Sequence, residues 1–225
     1  MKLTEHTEAY IHYIMSLTGG FMGAYALFNR SEIFGSAQTA NLIHSVTDLA
    51  QGSWGSLLLR LGALFIFIAA IAATVILSMH CRTNLRLICI LLEIPVITAL
   101  GFFPEHMSPL PALYPVFFIM AFQWCAFTGV KGYASSTIFS TNNLRQFISG
   151  LCQYADSRDK KHLEKAAVYG FTLLFYHIGA AISFFATAAC GVRCVWLCLV
   201  PLAAALMLME WAAYSQLSSS EILYL

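Results

Sequence analysis

Six stretches of the chain are almost wholly apolar, and polar residues gather in two long segments between them. The apolar stretches run roughly over 9–28, 57–79, 87–103, 110–130, 166–192 and 194–214. Each is close to the ~20 residues that a helix needs to cross a hydrocarbon core. The polar segments cover about 29–56 and 131–165. Pro104, Pro109, Pro111 and Pro115 predict a tight turn between the third and fourth stretches. The pattern predicts an all-α membrane protein with six transmembrane helices.

The polar segments also resemble each other. Thr39-Ala40-Asn41-Leu42 recurs as Thr141-Asn142-Asn143-Leu144, 102 residues later. Leu42, Val46 and Leu49 answer to Leu144, Ile148 and Leu151, at the i, i+4, i+7 spacing of one helical face. Asn41 and His44 answer to Asn143 and Gln146, and Ile68-Ala69-Ala70 to Ile178-Gly179-Ala180. These matches divide the chain into a first repeat, 1–108, and a second, 109–225. Three spans per half is an odd number, so the halves are expected to be inverted, as in many secondary transporters. The competing arrangement makes each polar segment a full span, giving eight spans, parallel halves and Arg145 inside a span.

Charge decides between the two. With the N-terminus inside, nine Lys and Arg fall on the cytoplasmic side: Lys2, Arg82, Arg86, Lys131, Arg145, Arg158, Lys160, Lys161 and Lys165. Only Arg30, Arg60 and Arg193 fall outside. That asymmetry favours six spans with both termini cytoplasmic, in a bacterial inner membrane. Composition agrees: 59% of residues are hydrophobic and 10% charged, against about 25% charged in soluble domains. The net charge of +1 gives no footprint for nucleic acid.

Three features carry candidate chemistry. Gln38, Asn41, Ser45 and Asp48 form a polar stripe, with Thr39 and His44 beside it. Thr141, Asn143 and Gln146 are their counterparts in the second half. Such a segment is re-entrant, interfacial or spanning; polar backbone at membrane depth is tolerated only where it lines a cavity. The two segments are expected to face a shared pathway for a small polar solute or ion, since Asn both donates and accepts. In the bland alternative, Thr39 and Thr141 cap helices and the Asn residues bond nearby backbone. Glu93 lies mid-way along the third stretch, where an acid costs roughly 2.5–3.5 kcal/mol on insertion scales. It reads as a coupling acid or as a neutral, hydrogen-bonded link between helices. Pro95 nearby weakens that helix ladder. Gln123 and His177 are further polar intrusions, with His177 expected at a helix–helix contact, while Arg60 is expected to reach the interface and Glu210 to do likewise or pair locally.

The remaining features are structural. Gly19, Gly20, Gly23, Ala24, Gly62, Ala69, Ala70, Ala72 and Ala73 permit close helix approach, within the protomer or in a homo-oligomer. Seven cysteines cannot all pair, and most sit in apolar stretches. Cys190, Cys194 and Cys198 recur every four residues without His or acid at ligand spacing, so no metal or cofactor is expected. The Asn29-Arg30-Ser31 sequon is discounted. The run 156–165 is the most charged stretch and reads as a solvated linker or a contact with anionic headgroups. No catalytic signature occurs, and His44, Ser45 and Asp48 make no credible triad; the chain is not expected to be an enzyme.

These motifs resemble the YoaK family of bacterial multi-pass membrane proteins, a family of unknown function. Its Gly-Gly stretch in span one is similar to Gly19-Gly20-Phe21-Met22-Gly23-Ala24, and its Val-Phe-x-x-x-x-Thr-Gly-Asn segment to the run from Ile33-Phe34 to Thr39-Ala40-Asn41-Leu42. Its second-half Thr-Gly-Asn-Leu is similar to Thr141-Asn142-Asn143-Leu144. The chain departs from the pattern at Ala40 and Asn142, which replace the Gly, and at Gly23, where the family often has an acid. The resemblance implies a membrane location and no substrate. The expectation is a small secondary transporter or permease-like protein; a non-transporting sensor, scaffold or assembly module is the alternative.

Overall fold

The computed structural model describes residues 5–30, 38–80 and 84–222, with side chains as far as Tyr214. Lys2, Arg82, Ser31 and the motif residues Ile33 and Phe34 lie outside the described residues. The elements are α1 (Glu5–Asn29), α2 (Thr39–Ala50), α3 (Trp54–His80), α4 (Leu85–Leu100), the short α5 (Pro109–Ala112), α6 (Tyr114–Ala126), α7 (Thr141–Ser157), α8 (Lys160–Cys190), a 3₁₀ segment over Gly191–Cys198 and α9 (Leu199–Ile222). Two stretches, Trp54–His80 and Lys160–Tyr214, are long and apolar enough to cross a membrane.

Local chemistry explains the boundaries. Glu5 and Glu8 open α1, where acids complement the helix dipole. Asn84 caps α4 by accepting from the Arg86 amide, and Asp159 caps α8 by accepting from the Lys161 amide. Arg158, in the left-handed region at φ 58°, ends α7 and lets the chain reverse into α8. Pro109 and Pro115 stand in the first turns of α5 and α6, where a missing N–H costs nothing.

The fourth apolar stretch departs from expectation. It is not one span over 110–130: α6 is 13 residues long and stops at Phe127. Val130 and Tyr133 bond each other through both backbone groups, and the residues between, Lys131 and Gly132, have φ of 53° and 76°. Positive φ at both central positions is the mark of a type I′ turn. Gly129 is also left-handed, and a Cβ there would collide with the Tyr133 carbonyl oxygen. Hydropathy reads across this turn because its residues are uncharged but for Lys131.

After the turn the chain runs without helix into the interior along α8. Tyr133 Oη donates to the Lys161 carbonyl, Tyr169 Oη to the Ala134 carbonyl, and Ser135 Oγ to Thr172 Oγ1, so each step lies further along α8. Thr137 then packs its carbonyl against Gly19 of α1. The helix α7 brings the chain back down α8, with Phe147 against Gly170, Gly150 against His162 and Ala166, and Gln153 near Lys165. The segment 127–157 therefore enters and leaves at the same end of α8. In the first half, α2 similarly lies along α3, with Arg60 of α3 bonded to both Asn41 and Asp48 of α2.

The remaining packing links the halves. α1 lies on α8 and α9, and α6 lies on α3 and α4. Glycine makes the first contact close: a Cβ at Gly20 would strike the Tyr176 carbonyl, and one at Gly179 the Leu17 carbonyl. The core runs through Met15, Phe21, Met22, Ile90, Ile97, Phe117, Met120 and Leu202, all essentially inaccessible. Large apolar residues also cover the outside, among them Phe65, Ile68, Met79, Phe185, Val200 and Trp211.

Candidate functional site

The run beyond the type I′ turn carries small polar side chains into a place with little water, and each must find a partner. Ser135, Thr137 and Thr172 are fully buried, as are His12 and Gln123. Ser135 Oγ donates to Thr172 Oγ1 at 3.0 Å, and Thr172 Oγ1 donates to the Val168 carbonyl at 2.8 Å. With both hydroxyl protons committed, the Ser135 oxygen accepts from His12 Nε2 at 3.3 Å. In the neutral ring this assigns the proton to Nε2 and leaves Nδ1 an acceptor, without a partner among the described residues. Gln123 Nε2 spends both protons, on the Met15 carbonyl at 2.8 Å and on Thr137 Oγ1 at 2.9 Å. Its Oε1 is left without a partner.

Glu93 is fully buried on α4. Cys89, one turn earlier, donates its thiol to Oε1 at 3.2 Å, and Oε2 has no partner. Cys198, at the end of the 3₁₀ segment, donates to the Thr18 carbonyl of α1 at 4.0 Å. Pro95 is on the exposed side of α4 and the helix continues through it.

A cleft of about 380 Å³ opens beside the turn, lined by Glu8, Arg86 and residues 128–134. Arg86 pairs with Glu8 at 3.5 Å, donates to the Gly129 carbonyl at 3.4 Å and lies over the Phe127 ring. Nearby Lys131 pairs with Glu164 at 3.5 Å. Burial first, then Glu164 and Asp159, raise the Tyr133 phenol above its ordinary value.

The residues expected from sequence divide by face. Gln38 and Asn41 are buried, and Asn41 donates to Gln38 Oε1 at 3.2 Å while its own Oδ1 accepts from Arg60 at 3.3 Å. Arg60, expected to reach the interface, instead pairs with Asp48 at 2.8 Å. Asn143 is buried and entirely engaged with backbone: Oδ1 accepts from the Ser136 amide, and Nδ2 donates to the Ser136 and Phe139 carbonyls. Thr39, His44 and Thr141 are exposed and Gln146 is half-buried. Neither threonine caps a helix; Gln38 and Ser140 hold the cap positions, without a side-chain cap bond. Among the described residues α2 packs on α3 and α7 on α8, and the two are not packed on each other as a pair. His177 is corrected: it is exposed on α8, with Nδ1 against its own helix's Leu173 carbonyl, because Gly179 and Tyr176 take the face toward α1. Arg145 is exposed and bonded to Asn142. Among the described residues no group of His, Cys, Asp and Glu is arranged to hold a metal, and Cys190 is exposed while Cys194 and Cys198 are buried.

The model of a protein family of unknown function, DUF1275, matches residues 11–208. The chain belongs to that family. The DUF1275 match takes in α1 from Ile11, the turn at 129–133, both Asn motifs, Glu93 and the first part of α9. No curated protein and no solved structure matches the chain.

Sequence reasoning passed over His12, Ser135, Thr137 and Thr172. A histidine inside the first apolar stretch and the run Ala134-Ser135-Ser136-Thr137 were the available signals. What connects them is the break of α6, and that is not visible in hydropathy.

Proposed function

We propose that this DUF1275 chain is a small secondary transporter or permease-like protein for a small polar solute or ion, set in a bacterial inner membrane with both termini cytoplasmic. The observation that carries the reading is the segment 127–157, an unwound run that enters the interior and returns as α7. Irregular backbone at membrane depth is tolerated where it is buried in protein or lines a pathway, and discontinuous helices of this kind build transporter sites. Outward faces support a lipid surround. Leu42, Val46 and Leu49 on α2, and Leu144, Ile148 and Leu151 on α7, are 38–68% exposed, while the polar Asn41 and Asn143 point inward. Amphipathic helices in water do the reverse.

The packing also supports two related halves, which the proposed inverted arrangement requires. Exchanging α1 with α6, α2 with α7, α3 with α8 and α4 with α9 turns every major helix pair into another: α1–α8 into α6–α3, α1–α9 into α6–α4, and α2–α3 into α7–α8. The finer likeness to the YoaK proteins belongs with this reading, since their paired Thr-x-Asn-Leu segments fall at the starts of α2 and α7.

Glu93 is the coupling acid in this mechanism. Substitution Glu93→Gln keeps the acceptor that Cys89 uses and removes the titrating group. Solute uptake into proteoliposomes should then lose its dependence on an imposed pH gradient while the variant purifies as a folded protein. Uptake that still follows the gradient would sink the coupling role. Candidate solutes come from a thermal-stability screen against metabolites and ions at two pH values. Binding raises apparent stability by about 2.7 kcal/mol at a hundredfold excess over Kd. The alternative, a sensor, scaffold or assembly module, draws on the charged run 156–165, where α7 ends and α8 begins. A co-purifying protein lost on neutralising that run, with no solute hit, would favour it.

A further inference from the structure

α1 and α8 run side by side in the same direction: Ala9 packs with Val168 near their starts, and Phe28 lies against Phe184 further on. They are in tight contact at Gly20 and Gly179, where a Cβ on either would strike the other helix's backbone. Nearer their starts the facing side chains are large. Tyr13 stacks on Phe175 at 5.8 Å and lies tilted on Phe171 at 5.7 Å. A groove of about 370 Å³ opens there. Its floor is the buried pair Ala9 and Val168, and its rim carries Tyr10 and Phe171, 62% and 49% exposed. On α8 it runs from Glu164 to Phe175, about 16 Å at 1.5 Å per residue. That is the depth of one leaflet, half of a hydrocarbon core of about 30 Å. Polarity is sorted along this length. His6, Lys131 and Glu164 stand at the end where the helices start, and the rest of the lining is aliphatic or aromatic.

We propose that this groove is a binding site for one anionic phospholipid, with an acyl chain along Tyr13, Phe171 and Phe175 and the phosphodiester on Lys131. The inference uses only the proposed setting of α1 and α8 in a bilayer and is independent of any transported solute. Lys131 is delivered to the mouth from a fixed backbone: Val130 packs with Ala9 and Val168 of the floor, and the left-handed Lys131 follows it in the turn. Lys160 and Lys161 precede Glu164 on α8 by four and three residues, so they share its face, and Tyr133 holds the Lys161 carbonyl. Against these cations stand Glu164 and Asp159, and Asp159 is bound to the cap of α8. The Lys131–Glu164 pair, at 3.5 Å with Glu164 about half exposed, holds weakly and yields to a phosphate. A charged mouth on an apolar shaft fits an amphiphile, since free phosphate would leave the shaft empty. A zwitterionic lipid would bring an ammonium group to lysines. Tyr10 and Tyr13 stand at the level of an interfacial aromatic belt, and basic clusters there attract an anionic leaflet.

The test counts bound lipid. Native mass spectra of the full-length protein in detergent are recorded against phosphatidylglycerol and phosphatidylcholine of identical chains. One phosphatidylglycerol should bind at least about tenfold more tightly than phosphatidylcholine, the worth of one charge-assisted hydrogen bond. Lys131→Gln should erase that preference and leave phosphatidylcholine binding unchanged. Ala167→Trp, at an exposed position of the groove, should fill the shaft and weaken both lipids by about tenfold or more. Arg193→Gln, which removes an exposed cation beyond the far end of α8, should change neither. Equal binding of the two lipids by the wild type, or an undiminished preference in Lys131→Gln, overturns the proposal. So does unimpaired binding in Ala167→Trp, which would put the lipid elsewhere, or a dimer that excludes lipid, which would make a second copy the occupant. If Ala167→Trp does not fold, Lys131→Gln decides. A protein that stays dispersed after detergent is removed would overturn the bilayer setting itself, which is a different failure.

Discussion

Asn41 and Asn143 occupy equivalent places in the two Thr-x-Asn-Leu segments, both buried at the start of a helix that folds back on a longer one. Their bonds are of different kinds. Asn41 works between side chains, donating to Gln38 and accepting from Arg60, which is itself paired with Asp48. Asn143 works on backbone, holding the Ser136 amide and the Ser136 and Phe139 carbonyls. The first arrangement can exchange partners at small cost, because side chains rotate. The second fixes the path of the unwound run, because it holds three backbone groups of that run at once. One motif thus serves a charged cluster in one half and a backbone brace in the other. If the halves move against each other, the second half supplies the rigid part.

The comparison breaks first at Asn143. Asn143→Ala strips partners from three backbone groups, each costing about 1–3 kcal/mol when left buried and unpaired. The expected loss is about 3 kcal/mol or more, read as a lower midpoint of thermal unfolding in detergent. Asn143→Asp should fare little better, since its second oxygen would meet two carbonyls. Asn41→Ala removes two side-chain bonds, to Gln38 and from Arg60, but leaves Arg60 paired with Asp48, so only about 1 kcal/mol is expected. Equal losses at the two sites would show that the distinction between brace and cluster is wrong.

A middle effect sharpens the account of the first half. The Arg60 and Asp48 side chains are 18% and 15% exposed, so their pair is partly shielded from solvent. A double-mutant cycle with Arg60→Met and Asp48→Asn should give a coupling of about 1 kcal/mol, at the upper end for exposed pairs. The same cycle on Lys131 and Glu164, at the molecule's edge, should give less, because Glu164 is about half exposed.

Much of the helical pattern was legible because it rests on composition alone. Apolar runs of span length gave α1, α3, α4 and α8, but the charged run 156–165, read as a linker, belongs mostly to the first turns of α8. The paired motifs were legible too, since Leu42, Val46 and Leu49 keep step with Leu144, Ile148 and Leu151. The break of α6 was not legible, because a type I′ turn built from Val130, Lys131, Gly132 and Tyr133 barely alters mean hydropathy. With it went the network of His12, Gln123 and Ser135, whose members are 12, 111 and 123 residues apart in pairs and meet only through that turn. Outwardness was hidden for the opposite reason. An i, i+4, i+7 apolar face gives no sign of whether it meets protein or lipid, and His177 sits on just such an outward face.

The smallest expected effect asks whether the exposed half of each motif has any part in function. Thr39, His44 and Thr141 are exposed and none caps its helix, so Ala at each should change ligand-free stability by no more than about 0.5 kcal/mol. That near-silence makes them clean probes. A side chain that only meets solvent or lipid headgroups will leave solute-induced stabilisation unchanged as well. One that lines a pathway will lose the solute shift while keeping the ligand-free midpoint, and the two quantities come from the same melting curve. If Thr39→Ala and Thr141→Ala lose the shift to the same extent, the two motifs contribute alike, whatever Asn41 and Asn143 do beneath them. If only one loses it, the asymmetry of the buried asparagines extends to the surface, and the halves divide binding from bracing.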